Sequence, residues 1–243
     1  MPSVLLRELE RKVEEVRGHP WRLERSASSP TGISPLDALL PEGGLPRGRV
    51  VEWLGPRSCG KTALLRAALL RWYGEGEAVA VVDAGRTLYA PDWVELAGEI
   101  PFWVIRPSRR EEAAWCTDLL LRSGVFGAVA LELETRAPLA APFGEPRGKA
   151  LSRNVTVRLQ RLAEEEASVF VVVGELPLAA LRLRFRPGRL EPLRGGPFGP
   201  VLPPMRPMWV RVERGRSCEV PILCPVPPER GVQPLARDRK GPR

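Results

Sequence analysis

Residues 49–72 read RVVEWLGPRSCGKTALLRAALLRW. The apolar run at 49–54 predicts a short strand, a turn with two glycines follows, and 61–72 predicts a helix that is apolar along most of its surface. Within this stretch Gly55, Pro56, Arg57, Ser58, Cys59, Gly60, Lys61 and Thr62 fit the pattern GxxxxGK[ST]. Glycines let the backbone curl until successive amides converge on phosphate oxygens. The helix behind adds its positive end, the lysine reaches the outer phosphates, and the threonine hydroxyl can ligate Mg²⁺. Composition adds weight to this reading. The chain has only four lysines, at 12, 61, 149 and 240, against 33 arginines. One of them stands where a flexible ammonium suits the chemistry better than a planar guanidinium.

Outward from the loop the pattern repeats. Strands are expected at 78–83, 102–105, 127–133 and 169–174, with helices at 92–97, 109–122 and 150–166. Apolar strands that barely alternate, separated by helices, imply a doubly wound α/β fold around a mostly parallel sheet covered on both faces. Ligands of such sheets bind at the carboxyl ends of the strands. The Pro- and Gly-rich segment 134–149 follows one of those ends. Beyond residue 180, LRLRFRP alternates with period two, and further strands are expected at 208–213 and 218–223, extending the sheet.

The N-terminal residues 3–17, SVLLRELERKVEEVR, form an amphipathic helix with Val4, Leu5, Leu6, Leu9, Val13 and Val16 on one face. A Gly-, Pro- and Ser-broken stretch behind it predicts a helix set apart from the core; packing on its own domain is favoured over service to a partner or a second copy. The expected organisation is helix and linker at 1–29, core at 30–217, then a strand and a disordered basic Pro-rich tail at 218–243.

The 243 residues include 37 Lys and Arg, 29 Asp and Glu, four Cys and one His. The single His19 excludes multi-histidine metal sites, and four cysteines without CxxC spacing argue against a disulfide scaffold. Without a long apolar run or a signal segment, a cytoplasmic protein is expected. Residues 182–243 hold 14 basic and 5 acidic side chains, so the whole surplus of +8 comes from this third. That asymmetry suggests a polyanion surface. Arg182, Arg184, Arg186 and Arg189, spaced along a strand, are expected to form one phosphate-facing stripe, with Arg147 and Lys149 on the 134–149 loop as further DNA contacts. With Asp83 and Glu132 at neighbouring strand ends, the residues alone leave both acids as candidates for positioning water or Mg²⁺.

The string SSPTGISPLDALLPEGGLPRGRVVEWLGPRSCGKTALL resembles the opening of the RecA recombinase core, most specifically over residues 30–65. The resemblance implies a RecA-like fold, ATP or ADP with Mg²⁺ as ligands, and assembly on single-stranded DNA. Departures matter. Recombinases carry Asp-Ala-Glu where this chain reads Asp83-Ala84-Gly85, so the water-activating glutamate is missing. Glu132 holds the position of the Mg²⁺-supporting aspartate, and Val173-Gly174-Glu175 replaces a glutamine-bearing strand end. Trp93 matches the adenine-stacking aromatic. This combination resembles the ImuA family of shortened RecA-like proteins, which implies a part in damage-induced translesion synthesis beside RecA or the polymerase-like ImuB, in the nucleoid. Three functions stay open: a nucleotide-binding accessory factor with weak or no hydrolysis, a slow DNA-stimulated ATPase, and a nucleotide-independent adaptor like the SulA division inhibitors.

Overall fold

The computed structural model describes residues 4–17, 26–89, 93, 98–133, 151–188, 193–196, 199–201, 205–213 and 219–225. In chain order the elements are α1 (Val4–Val16), β1 (Ser28–Ser29), α2 (Ser34–Asp37), β2 (Leu45–Pro46), β3 (Val50–Leu54), α3 (Lys61–Gly74), β4 (Val79–Asp83), β5 (Phe102–Ile105), α4 (Glu112–Arg122), β6 (Ala128–Glu132), α5 (Arg153–Glu165) and β7 (Val169–Val173). They continue with β8 (Leu181–Pro187), β9 (Leu193–Gly196), β10 (Gly199–Val201), β11 (Met205–Val212) and β12 (Glu219–Pro225). Eight strands form one sheet in the order β12-β11-β8-β3-β7-β6-β4-β5. From β8 to β5 all pairs are parallel, and β11 and β12 add an antiparallel extension. The doubly wound, mostly parallel architecture read from the alternation is the one observed. The expected helix at 92–97 and the tail beyond 225 lie outside the described residues, apart from Trp93.

Two apolar layers sandwich the sheet. Val51, Trp53, Val79, Val81, Val171 and Leu183 face α3, which contributes Leu64, Leu65, Leu69 and the fully buried Trp72. The alternate residues, including Val50, Ala80, Val82, Val129, Phe170 and Val172, face α4 and α5. Each fully buried large aliphatic side chain contributes about 1.5–3 kcal/mol relative to exposure. The N-terminal helix belongs to the second layer: it packs on its own domain, as favoured, and is not set apart from the core as the broken linker suggested. Leu6, Leu9 and Val13 are buried there, whereas Val4 is 75% exposed. Enough of its apolar row meets α4 to hold the helix down despite the broken linker.

Short polar clasps fasten the segment leading into the loop. Asp37 accepts hydrogen bonds from the backbone N–H and the hydroxyl of Thr31 and from the Gly32 N–H. Trp72 donates its indole N–H to the Pro30 carbonyl at 2.8 Å. Arg47, beneath the sheet, pairs with buried Glu77 and donates to the Gly127 carbonyl at 3.0 Å. The TG…LD spacing thus has a structural purpose of its own.

A seven-residue segment, 174–180, takes the chain from β7 to β8 across β3. It is bonded at both ends to that strand, Gly174 N–H to the Trp53 carbonyl and Ala180 N–H to the Val50 carbonyl. Between them the Leu176 N–H donates to the fully buried carboxylate of Glu52, which also pairs with Arg182. A charge buried in mid-strand is tolerable only with such partners.

Candidate functional site

The GxxxxGKT turn leaves the carboxyl end of β3 and enters α3. Gly55 has no room for a side chain: a Cβ there would lie 2.5 Å from the Phe185 carbonyl oxygen and 3.1 Å from Cys59 Sγ. Gly60 caps α3 at φ 99°, and Ser58 also takes a left-handed conformation at φ 57°. These turns coil the loop tightly, and no side chain caps the helix that follows. Lys61, 3% exposed, folds its ammonium back over the loop and donates to the Gly55 and Pro56 carbonyls, each at 3.1 Å. A backbone cradle shaped around Gly55, a helix start without a side-chain cap and an inward lysine together fit a phosphate group. Thr62 follows on the first turn, where its hydroxyl could join phosphate oxygens around Mg²⁺. Among the described residues no group of three or more His, Cys, Asp or Glu could hold a metal alone. Mg²⁺ here would therefore depend on phosphate oxygens, its usual mode with nucleotides.

Strand order sets the distance to the acids. One strand, β7, lies between β3 and β6, so the loop strand and the Glu132 strand are about 9–10 Å apart. Asp83 and Glu132 are register partners at the ends of β4 and β6. Both are buried, but they are held differently.

Asp83 is fully buried and accepts from Thr87 N–H at 2.9 Å, Leu88 N–H at 3.3 Å and Arg106 Nε at 3.0 Å. Arg106 also donates to the Leu88 carbonyl. Asp83 thus anchors the turn at 84–88, and its carboxylate is wholly buried beneath these donors. Glu132, 3% exposed, lies beside Arg110. That arginine donates to the Leu133 carbonyl; burial pulls its pKa down, while the charges of Glu111 and Glu132 pull it up.

Trp93 is 4% exposed, and its ring lies parallel to Phe102 with centroids 5.9 Å apart. It packs in the core layer on the α3 side of the sheet. Three of the four arginines expected in the stripe fall within the described residues. Arg182, Arg184 and Arg186 do share one side of β8, but the strand ends at Pro187, and Arg189 lies outside the described residues, as do Arg147 and Lys149. Arg182 is drawn to Glu52 and Arg184 to Glu213, while Arg186 sits 6.0 Å above the centroid of the Trp209 ring. Sequence reasoning missed Arg106, Arg110 and Trp209. The arginines carry no motif, and Trp209 is marked only by its place opposite Arg186, a register that strand pairing creates.

Fold and loop together define a RecA-like α/β core of the P-loop class. Over residues 21–155 the sequence matches the RecA N-terminal domain, and the chain belongs to the RecA family. Protein RecA of Streptomyces ambofaciens is 34% identical over 139 residues, covering 55% of this chain and 37% of that protein. Protein RecA of Mycobacterium tuberculosis H37Rv is likewise 34% identical over 139 residues, 55% of this chain and 18% of that protein. The chain thus spans well under half the length of these relatives. The crystal structure of the RadB recombinase superposes with a TM-score of 0.53 at 19% identity, over 79% of this chain and 93% of that one, a likeness of fold. Among the described residues no helix is long and apolar enough to cross a membrane.

Proposed function

We propose that this chain is a nucleotide- and DNA-binding accessory factor of DNA damage tolerance, of the ImuA type, which grips Mg²⁺-ATP or ADP and hydrolyses ATP weakly at most. It works through RecA or ImuB during translesion synthesis. One observation carries the reading: the phosphate cradle is intact, while the neighbouring strand-end acids are withdrawn from chemistry. Asp83 is tied up by three donors, Gly85 offers no carboxylate, and Glu132 is buried within the field of Arg110. A positioned base is worth about 10² to 10⁴ in rate, so its loss leaves binding and removes most turnover. The nucleotide then acts as a structural ligand or slow switch.

Calorimetry with Mg²⁺-ATP and Mg²⁺-ADP tests this on the wild type and Lys61→Ala. The wild type should bind at least about tenfold more tightly, about 1.4 kcal/mol. Phosphate release by the wild type, with or without single-stranded DNA, should stay at the level of that variant. Equal affinities would sink the working site; DNA-stimulated release would convert the reading into an active ATPase.

A further inference from the structure

The antiparallel extension of the sheet has one side in the core and one in solvent. Leu183, Phe185, Met208, Val210, Val212 and Ile222 fill the inner side. On the outer side, cross-strand pairing aligns Arg186, Trp209 and Pro221 in one row, and Arg184 with Arg211 in the next. Arg184, Arg186, Arg211 and Pro221 are exposed, and Trp209 is partly so. The guanidinium of Arg186 stands over the indole face.

We propose that this outer face of β8, β11 and β12 binds single-stranded nucleic acid, with Trp209 stacking on a base and Arg184, Arg186 and Arg211 contacting the flanking phosphates. The proposal rests on the nucleic-acid-binding reading above and assigns it a surface. An aromatic ring set among arginines on a pleated face is the arrangement that serves unpaired strands, since every base offers a π-face and duplexes hide theirs. Arg186 over the indole adds a cation–π contact that keeps the ring and the charge in register.

Acidic residues share this face with the arginines. Glu52 is matched by Arg182, and Glu213 bridges Arg182 and Arg184. Glu175 also acts on Arg184. Glu219 is the register partner of Arg211 and Glu213 also feels its charge, so the acids gather on the Arg184–Arg211 row, while the row of Trp209 itself holds Arg186 and Pro221 and no acid. The sequence asymmetry agrees, since the strongly basic third of the chain begins at the first residue of this stripe. The face also adjoins the phosphate loop, because the Phe185 carbonyl is the group that crowds Gly55.

The test uses the full chain and a fluorescein-labelled oligo-dT, with affinity read by anisotropy at low salt. Trp209→Ala should weaken binding between about fivefold and a hundredfold, the loss of one stacked base, while Trp209→Phe stays within about threefold of wild type. Arg186→Gln, a surface change that leaves the inner side untouched, should weaken it about threefold or more. An oligonucleotide carrying 5-iododeoxyuridine should cross-link on irradiation to the peptide containing Trp209. Wild-type binding with unchanged affinity in these variants and cross-links elsewhere overturns this face and leaves the DNA-binding reading standing. No binding by the wild type removes both. Competition by polyglutamate as effective as that by oligo-dT marks a general polyanion surface and overturns the stacking.

Discussion

Asp83 shows how a strand-end acid can carry a structural load of its own. At the end of VAVVD it sits where strand-end acids do chemistry, yet two backbone amides and Arg106 use its oxygens. Asp83→Ala should therefore cost about 1–3 kcal/mol in urea unfolding, because buried donors lose their acceptor. Its effect on any residual phosphate release should follow the loss of folded protein, measured by circular dichroism on the same samples. Cys116 makes a second residue-scale expectation. Burial first, and the charge of Glu112 second, push its thiol up to about 11. Alkylation of Cys116 near pH 8 should be slow in the native protein and fast in urea, with peptide mass spectrometry reading the site. The phosphate loop was legible residue by residue because its pattern encodes backbone geometry. The partners of Asp83 and the burial of Trp93 were not legible, because sequence shows a residue's chemistry and not what surrounds it.

At the scale of elements, hydrophobic period placed most strands and helices within a few residues, including β5 at 102–105. What periodicity could not show was where α1 goes, since an amphipathic face states a need for cover without naming the cover. Its docking on the second core layer makes Leu9→Ala cost about 2–3 kcal/mol, read from urea midpoints. The pairing of β8 with β11 carries a pH signature. The hydrogen bond from Arg184 holds the Glu213 carboxyl below its ordinary value near 4.5. A depressed folded pKa stabilises at pH above the unfolded value, and that contribution is lost as pH falls through the folded one. Melting temperature should thus drop less steeply below about pH 4.5 in Glu213→Gln than in the wild type, and the two should run parallel above about pH 6.

For the molecule as a whole, the class of fold followed from alternating strands and helices, whereas strand order did not, because long crossovers leave few local traces of which strand lies beside which. That order decides the electrostatics: it brings β11 against β8 and so gathers Arg184, Arg186 and Arg211 on one side. If these three meet phosphates, the logarithm of oligo-dT affinity should fall with the logarithm of salt with a slope of about −2, at roughly 0.7 per phosphate. The order also gives the sheet two unlike borders. The β12 border contains Pro221 and Pro225, whose nitrogens have no hydrogen to donate, while the four residues of β5 on the opposite border include no proline. Among the described residues, lateral growth by main-chain bonding is thereby handicapped at the β12 border, while β5 carries no such block in its own sequence. Such a body can accept a neighbour's strand once, as a terminus does, but is poorly built to pass the pairing on into an endless ribbon.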